Sequence, residues 1–145
     1  MVDKAAMDGS SSGSTQGRRA KLLVIDDEEL MCELLSAMLS SDFDVVVLSS
    51  SREALKRLCS GEAYDLVVCD LMMPELTGME LFAQLQDSHP AQAERIVFMT
   101  GGSYTDEAHD FLAEKGRFQL QKPFRHDALL AMVRQRLAEL GPMTR

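Results

Sequence analysis

The stretch Leu66-Val67-Val68-Cys69-Asp70 is an apolar run that ends at a carboxylate, and three other runs also end at polar side chains. Residues 22–25 precede Asp26 and Asp27, residues 96–99 precede Thr100, and residues 118–121 precede Lys122. Short runs rich in Val, Ile and Leu, separated by longer amphipathic stretches, are typical of strands buried on both faces of a parallel sheet. Because the carboxyl ends of parallel strands meet at one edge, where open α/β sheets bind ligands, the pattern predicts a site there.

The segments between these runs have helical patterns. A first helix is predicted over residues 28–39, with Asp27 available as its N-terminal cap and apolar residues at Leu30, Leu34, Leu35, Met38 and Leu39. A strand over Asp44–Leu48 follows, then helices from Ser51 to near Gly61, over residues 79–86, over residues 105–115, and along Leu129, Val133, Leu137 and Leu140. Strand and helix repeats joined by right-handed crossovers predict an α/β three-layer sandwich with helices on both faces of the sheet.

The bulk composition limits the classes of function. A chain of 145 residues fits one domain, and we expect a flexible Gly- and Ser-rich tail over residues 1–18 and a folded domain over residues 19–141. Its 15 basic and 23 acidic residues give a net charge of −8, which disfavours direct contact with nucleic acid. Neither a membrane-length apolar stretch nor an apolar signal core is present, so we expect a cytoplasmic protein that does not contact membranes.

Cysteine and histidine do not form a pattern for soft metals. The three cysteines are odd in number and lack C-x-x-C spacing, so we expect buried free thiols rather than disulfides or zinc ligands at Cys32, Cys59 and Cys69. The histidines fall in predicted helices or loops, where structural roles are expected, at His89, His109 and His126.

The polar ends of the runs predict a phosphoryl-transfer site. Helix capping would explain a single aspartate after the first strand. Asp26, Asp27 and Asp70 at one edge, however, repel each other unless a cation neutralises them. Oxygen ligands of this kind favour Mg²⁺, beside which Asp70 is a candidate nucleophile toward phosphorus. Thr100 and Lys122 then supply a hydrogen bond and a positive charge to the phosphoryl oxygens. The Lys122–Pro123 bond is a candidate cis peptide, and Gly101 and Gly102 are either turn residues or leave room for the phosphoryl group.

Four motifs in this order resemble the receiver domain of two-component response regulators. They are Asp26-Asp27, D-L-M-M-P-x-x-x-G from Asp70 to Gly78, Met99-Thr100-Gly101-Gly102, and Lys122-Pro123-Phe124. The resemblance covers about residues 20–140, and the last two motifs are most similar to receivers attached to hybrid sensor histidine kinases.

The resemblance implies a fold, a reaction and partners. The fold is a flavodoxin-like five-stranded parallel sheet in the order 2-1-3-4-5. Asp70 takes a phosphoryl group from the phosphohistidine of a sensor histidine kinase or histidine phosphotransfer protein, with Thr100 and Lys122 contacting its oxygens. Mg²⁺ is held by Asp26, Asp27, Asp70 and the backbone carbonyl of Met72. The result is autocatalytic phosphotransfer and slow self-hydrolysis, not conventional enzymatic turnover.

The same resemblance implies that phosphorylation switches a protein-interaction surface read by a downstream effector. That surface is formed by the helix predicted over residues 105–115, the fifth strand and the last helix. Whether two copies of the chain also form a homodimer through this surface is left open. The family's switch uses an aromatic residue three positions before the lysine, where this chain has Gln119. Phe118 and Tyr104 are the substitute candidates, so we predict an altered switch. Met72 and Gly102 offer no side-chain hydrogen bond to an attacking water, which predicts slow loss of the phosphoryl group.

Three alternatives are weighed against this interpretation. An unphosphorylated interaction module of the same fold does not need the complete set of polar residues. A phosphatase of the haloacid dehalogenase type needs D-x-D after the first strand, where this chain has Asp26-Asp27-Glu28. A flavodoxin needs a phosphate-binding loop at that point, which the acidic turn disfavours. No output domain follows Arg145 in the sequence, so a stand-alone regulator and a piece of a hybrid kinase both remain open.

Overall fold

The computed structural model describes residues 19–101, 105–115 and 119–143, which contain one parallel sheet. Its strands are β1 (Lys21–Ile25), β2 (Asp44–Leu48), β3 (Leu66–Asp70), β4 (Ile96–Gly101) and β5 (Gln119–Lys122). They pair in the order β2-β1-β3-β4-β5, and every pairing is parallel. This is the predicted fold, in the strand order that the resemblance implied. The fourth apolar run forms β5 from Gln119 onward, while residue 118 lies outside the described ranges.

Six helices are described along the chain. They are α1 (Glu29–Leu39), α2 (Ser51–Cys59), α3 (Gly78–Ser88), α4 (Pro90–Ala93), α5 (Asp106–Lys115) and α6 (His126–Leu140). Side chains of α1 and α6 join one core cluster, and those of α2, α3 and α5 join another on the opposite face of the sheet. Alternate strand residues belong to the two clusters, as the period of a strand requires, with Leu22 in one and Leu23 in the other. None of the helices in these ranges has the length and apolar character needed to span a membrane.

The short helix α4 was not predicted, because only one helix, over residues 79–86, was predicted in this part of the chain. Pro90 instead occupies the first turn of α4, a position where its missing N–H is not needed. The turn places Gln92 in the interior, where its side-chain amide accepts from the N–H of Tyr64 at 2.9 Å and donates to the carbonyl of Tyr64 at 3.1 Å. A buried polar side chain thus anchors α4 to the segment that leads into β3.

Two expectations for α1 were wrong. The N-cap residue is Glu28, and no side chain caps the helix, so Asp27 is not the predicted cap. The buried side of the helix is formed by Cys32, Leu35 and Leu39. Leu30 and Leu34 lie on the opposite side of the helical wheel, which leaves their side chains 80% and 46% exposed.

The cysteine prediction is confirmed in part. All three thiols are free, and Cys32 and Cys69 are buried, but Cys59 is exposed. Cys59 is the last residue of α2 and directly follows Leu58, which packs into the core, so the helix turns the thiol away from the sheet.

A buried arginine at the amino edge of the sheet fixes the end of α6. The Arg95 guanidinium donates hydrogen bonds to the carbonyls of Gly141 at 2.7 Å, Asp65 at 3.1 Å and Leu140 at 3.2 Å. The Asp65 carboxylate accepts from the N–H of Met143 at 2.9 Å and from that of Lys21 at 2.8 Å. These bonds hold residues 140–143 against the edge of the sheet that lies opposite the carboxyl ends of the strands.

Candidate functional site

A polar pocket of about 270 Å³ opens at the carboxyl edge of the sheet. Its lining comes from the ends of β3, β4 and β5 and from the segments that follow β1 and β3: Asp27, Glu28, Asp70, Leu71, Met72, Met99, Thr100, Gly101 and Lys122. The pocket lies where the sequence pattern predicted a ligand site.

Three aspartates meet at this edge because β1 and β3 are neighbours. Their register pairs Ile25 with Cys69, so the residues that follow these two positions, Asp26 and Asp70, come side by side. One carboxylate oxygen each of Asp26, Asp27 and Asp70 lies within 4.8 Å of the others. Asp26 is fully buried and Asp70 is 8% exposed, whereas Asp27 faces solvent. The structure therefore brings together the three carboxylates that the sequence singled out.

Lys122 reaches these carboxylates from the end of β5. Its Nζ lies 3.0 Å from Oδ2 of Asp26 and 3.6 Å from Oδ1 of Asp70. The Lys122–Pro123 peptide is cis, the geometry named as a candidate from the sequence. Burial opposes the charge on the ammonium, but the hydrogen bond to Asp26 and the nearby Asp70 outweigh burial and raise the pKa of Lys122.

The Asp70 carboxyl is held in an environment that disfavours its charge. Burial, followed by the negative charge of Asp26, raises the pKa of Asp70 to about 6. The charge of the Lys122 ammonium and the hydrogen bond that the carboxylate accepts from the N–H of Met72 lower the pKa of Asp70, but they do not cancel these effects. The site thus carries more negative charge than its own lysine neutralises.

The other predicted residues are placed around this cluster. Thr100 is buried in β4, one position beyond Met99, which pairs with Asp70 in the sheet register. Met72 lies on the rim of the pocket with 40% of its surface exposed. Gln119, the first residue of β5, is exposed to solvent. The predicted roles of Gly102, Tyr104 and Phe118 fall outside the described residues.

Glu28 is a pocket residue that the sequence reasoning did not assign to the site. Its Oε1 lies 3.9 Å from Nζ of Lys122, although its side chain is 66% exposed. Its place directly after Asp26 and Asp27 in an acidic run was the signal that could have identified it. None of the three histidines belongs to the carboxylate cluster.

Comparisons with known proteins agree with this geometry. A family model described as the response regulator receiver domain matches residues 22–134. The transcriptional regulatory protein GlrR of Escherichia coli K12 is 35% identical over 127 residues, which are 86% of this chain and 28% of that protein. The hydrogenase transcriptional regulatory protein HoxA of Cupriavidus necator is 33% identical over 128 residues, which are 86% of this chain and 25% of that protein. The chain therefore spans about a quarter of the length of these two relatives.

Solved structures give the same result. A response regulator receiver domain protein from Clostridium thermocellum superposes with a TM-score of 0.70 at 29% identity, covering 83% of this chain and 95% of that one. Full-length FixJ from B. japonicum superposes with a TM-score of 0.73 at 28% identity, covering 85% of this chain and 60% of that one. The strand order, the acidic edge and the family match agree, and the chain belongs to the family of response regulator receiver domains found in two-component systems.

Proposed function

We propose that this chain takes a phosphoryl group onto Asp70 from the phosphohistidine of a sensor histidine kinase or a histidine phosphotransfer protein. The observation that supports this most directly is the nearly buried Asp70 carboxylate, with an ammonium 3.6 Å away and two further aspartates beside it. Such an arrangement combines a nucleophile with the groups that bind and balance phosphoryl oxygens. We take residues 19–141 as the extent of the domain that performs this reaction.

The residues present fit a divalent cation. Asp26, Asp27 and Asp70 offer oxygen ligands only, and three carboxylates against one nearby ammonium leave a negative charge unbalanced. Burial and, after it, the negative charge of Asp26 raise the pKa of Asp70, and a bound cation would offset both effects. These three side chains and the carbonyl of Met72 would hold Mg²⁺, which when bound neutralises charge between nucleophile and phosphoryl group.

Each side chain has a defined task in the transfer. A carboxylate oxygen of Asp70 forms a bond to phosphorus while the bond from phosphorus to the donor's imidazole nitrogen breaks. The electron pair of that bond stays on the imidazole nitrogen, which takes up a proton. Lys122 balances charge on the phosphoryl oxygens, and Thr100 donates a hydrogen bond to one of them. Loss of the group to water is slow, because Met72 has no side-chain hydrogen bond with which to orient an attacking molecule.

Phosphorylation then changes the surface formed by α5, β5 and α6, which an effector protein reads. Thr100 belongs to β4, which pairs directly with β5, so a shift of its hydroxyl toward the phosphoryl group acts next to that surface. Gln119 stands at the position of the family's aromatic switch residue and is exposed, which supports an altered switch. We propose two ways in which this surface passes on the signal, by binding an effector protein or by forming a homodimer.

Labelling with a small phosphoryl donor tests this function. The protein is incubated with Mg²⁺ and acetyl phosphate, and intact-mass spectrometry followed by peptide mapping should show one phosphoryl group, located on Asp70. Asp70→Asn should remain unlabelled. Asp87→Asn, which alters an exposed aspartate of α3, serves as the matched control and should label like the wild type.

Two results would contradict the proposal. Labelling that persists in Asp70→Asn would assign the nucleophile to another residue. Absence of labelling in the wild type, both with acetyl phosphate and with a phosphorylated histidine phosphotransfer protein, would favour the unphosphorylated interaction module.

A further inference from the structure

The first residue of α3 lies directly against the backbone of the residue that we propose is phosphorylated. The Gly78 N–H donates a hydrogen bond to the Leu71 carbonyl at 2.8 Å. A Cβ atom at position 78 would lie 2.8 Å from the carbonyl oxygen of Asp70 and 3.1 Å from Cα of Leu71. Both distances are shorter than ordinary van der Waals contact, so a side chain at position 78 requires its neighbours to move.

The start of α3 is fixed in a way that prevents it from moving aside. Thr77 and Glu80 form a reciprocal capping box, in which Thr77 Oγ1 accepts from the N–H of Glu80 at 3.1 Å. The side chain of Glu80 in turn accepts from the N–H of Thr77 at 2.9 Å. Two orphan donors of the helix are satisfied by this pair, so sliding the helix start costs both bonds.

The ring on the other side of Gly78 is fixed as well. The same added Cβ would lie 3.2 Å from Cε1 of Phe98. The Phe98 ring packs edge to face on Phe82 and Phe111, with ring centroids 6.3 and 5.3 Å away. It is fully buried in the core, so it has no room to swing away. The segment left to move is the backbone of Asp70 and Leu71, at the carboxyl end of β3, where the strand borders the pocket.

We infer that Gly78 is a positioning residue for the metal site, because its missing side chain allows α3 to press on the Asp70–Leu71 backbone and fix it. This inference rests on the proposed function. The fixed segment carries the Asp70 carboxylate and leads to the Met72 carbonyl, two of the four proposed ligands. Displacing it by a few tenths of an ångström therefore misaligns two ligands together.

The two divalent ions Mg²⁺ and Ca²⁺ respond differently to such a displacement. Mg²⁺ requires nearly ideal octahedral geometry at about 2.0–2.1 Å, whereas Ca²⁺ accepts variable geometry at about 2.3–2.6 Å. Gly78→Ala should therefore weaken Mg²⁺ binding about tenfold or more and Ca²⁺ binding about threefold or less. A purely structural role for Gly78 predicts no change in this selectivity.

Isothermal titration calorimetry with each ion alone measures both affinities. Gly61→Ala is the matched control. Its added Cβ would meet nothing within 4 Å, but the alanine must adopt the backbone φ of +103° that the glycine has. That substitution strains the chain at the end of α2, far from the site, and should leave both affinities within about twofold of wild type.

Three outcomes overturn the inference. A folded Gly78→Ala protein that binds Mg²⁺ within about twofold of wild type contradicts it, as does an equal loss of affinity for both ions. A wild-type protein that binds no Mg²⁺ refutes the proposed site itself, so the two failures are distinguishable. Should Gly78→Ala not fold, the same comparison is made between Phe98→Leu and Phe98→Leu/Gly78→Ala. The ring contact is then removed and the backbone contact at 2.8 Å remains, so the loss of Mg²⁺ selectivity is expected there too.

Discussion

Replacing Asp70 by asparagine should stabilise the metal-free protein at neutral pH while abolishing its proposed reaction. Burial and the Asp26 carboxylate raise the pKa of Asp70 from 3.8 to about 6, so the folded protein binds this proton more tightly than the unfolded chain does. The favourable contribution of this group is complete below about pH 3.8 and is lost as the pH rises through about 6. Above pH 6 the folded state carries the charge at a cost that the unfolded chain does not have.

The size of the gain follows from the same two values. The difference between 3.8 and about 6 corresponds to about 3 kcal/mol, at about 1.4 kcal/mol per pH unit. Asparagine is neutral at every pH and has nearly the same shape, and Lys122 keeps its hydrogen bond to Asp26 at 3.0 Å. Asp70→Asn should thus raise the free energy of unfolding by about 3 kcal/mol at pH 8 and by only about 0.5 kcal/mol near pH 4.

Urea denaturation followed by circular dichroism, in buffers from pH 4 to pH 8 that contain EDTA, measures this difference. Asp87→Asn provides the control, since it replaces an exposed carboxyl of α3 outside the acidic pocket. An Asp70→Asn protein that is no more stable than wild type at pH 8 would refute the electrostatic reasoning. A gain of equal size at every pH would refute it equally, because only titration of Asp70 makes the gain vanish in acid.

Three further predictions concern water, metal and the opposite edge of the sheet. Met72→Asn places a hydrogen-bonding group beside Asp70, and phosphorylated protein should lose its label about tenfold faster, as followed by mass spectrometry over time. Mg²⁺ at about 100 times its Kd should raise the free energy of unfolding of wild type by about 2.7 kcal/mol, and that of Asp27→Asn by much less, in urea titrations. Arg95→Ala leaves the carbonyls at the end of α6 without their charged donor and should cost about 2–3 kcal/mol, whereas the exposed Arg52→Ala should be neutral. An unchanged decay rate, an equal response of Asp27→Asn to Mg²⁺, or equal stability of the two arginine variants would contradict the respective prediction.

The strands and their polar ends could be predicted from the sequence because each is encoded locally. A central strand such as β3 is buried on both faces, so its apolar run needs no partner to be recognised, and the residue that follows it must lie at the carboxyl edge. Asp70 and Lys122 could be assigned to one site on that basis alone, and the structure places their charged atoms 3.6 Å apart.

The errors arose where tertiary contacts decide. Leu30 and Leu34 form one apolar stripe of α1 and Cys32, Leu35 and Leu39 form another, and only packing against the sheet determines which of the two is buried. The helix α4 depends on Gln92 binding the backbone of Tyr64, which is 28 residues away in sequence. Gly78 does not contribute to any hydrophobic periodicity. It matters because a Cβ atom at this position would lie only 2.8 Å from the carbonyl oxygen of Asp70, a contact that the sequence does not reveal.

The bonds that Arg95 makes to the end of α6 have a practical consequence for studying this protein. They hold Leu140 and Gly141 at the amino edge of the sheet, where the Asp65 carboxylate also accepts from the N–H of Met143. Strands of about five residues separate that edge from the acidic pocket by about 17 Å. A fluorophore or reporter domain joined after Met143 therefore stands clear of the opening at which the proposed phosphohistidine donor would bind. Because these bonds tie the end of α6 to the edge of the sheet, such a reporter would follow any movement of that helix. The far edge of the sheet is thus a suitable place from which to observe the proposed switch without obstructing the pocket.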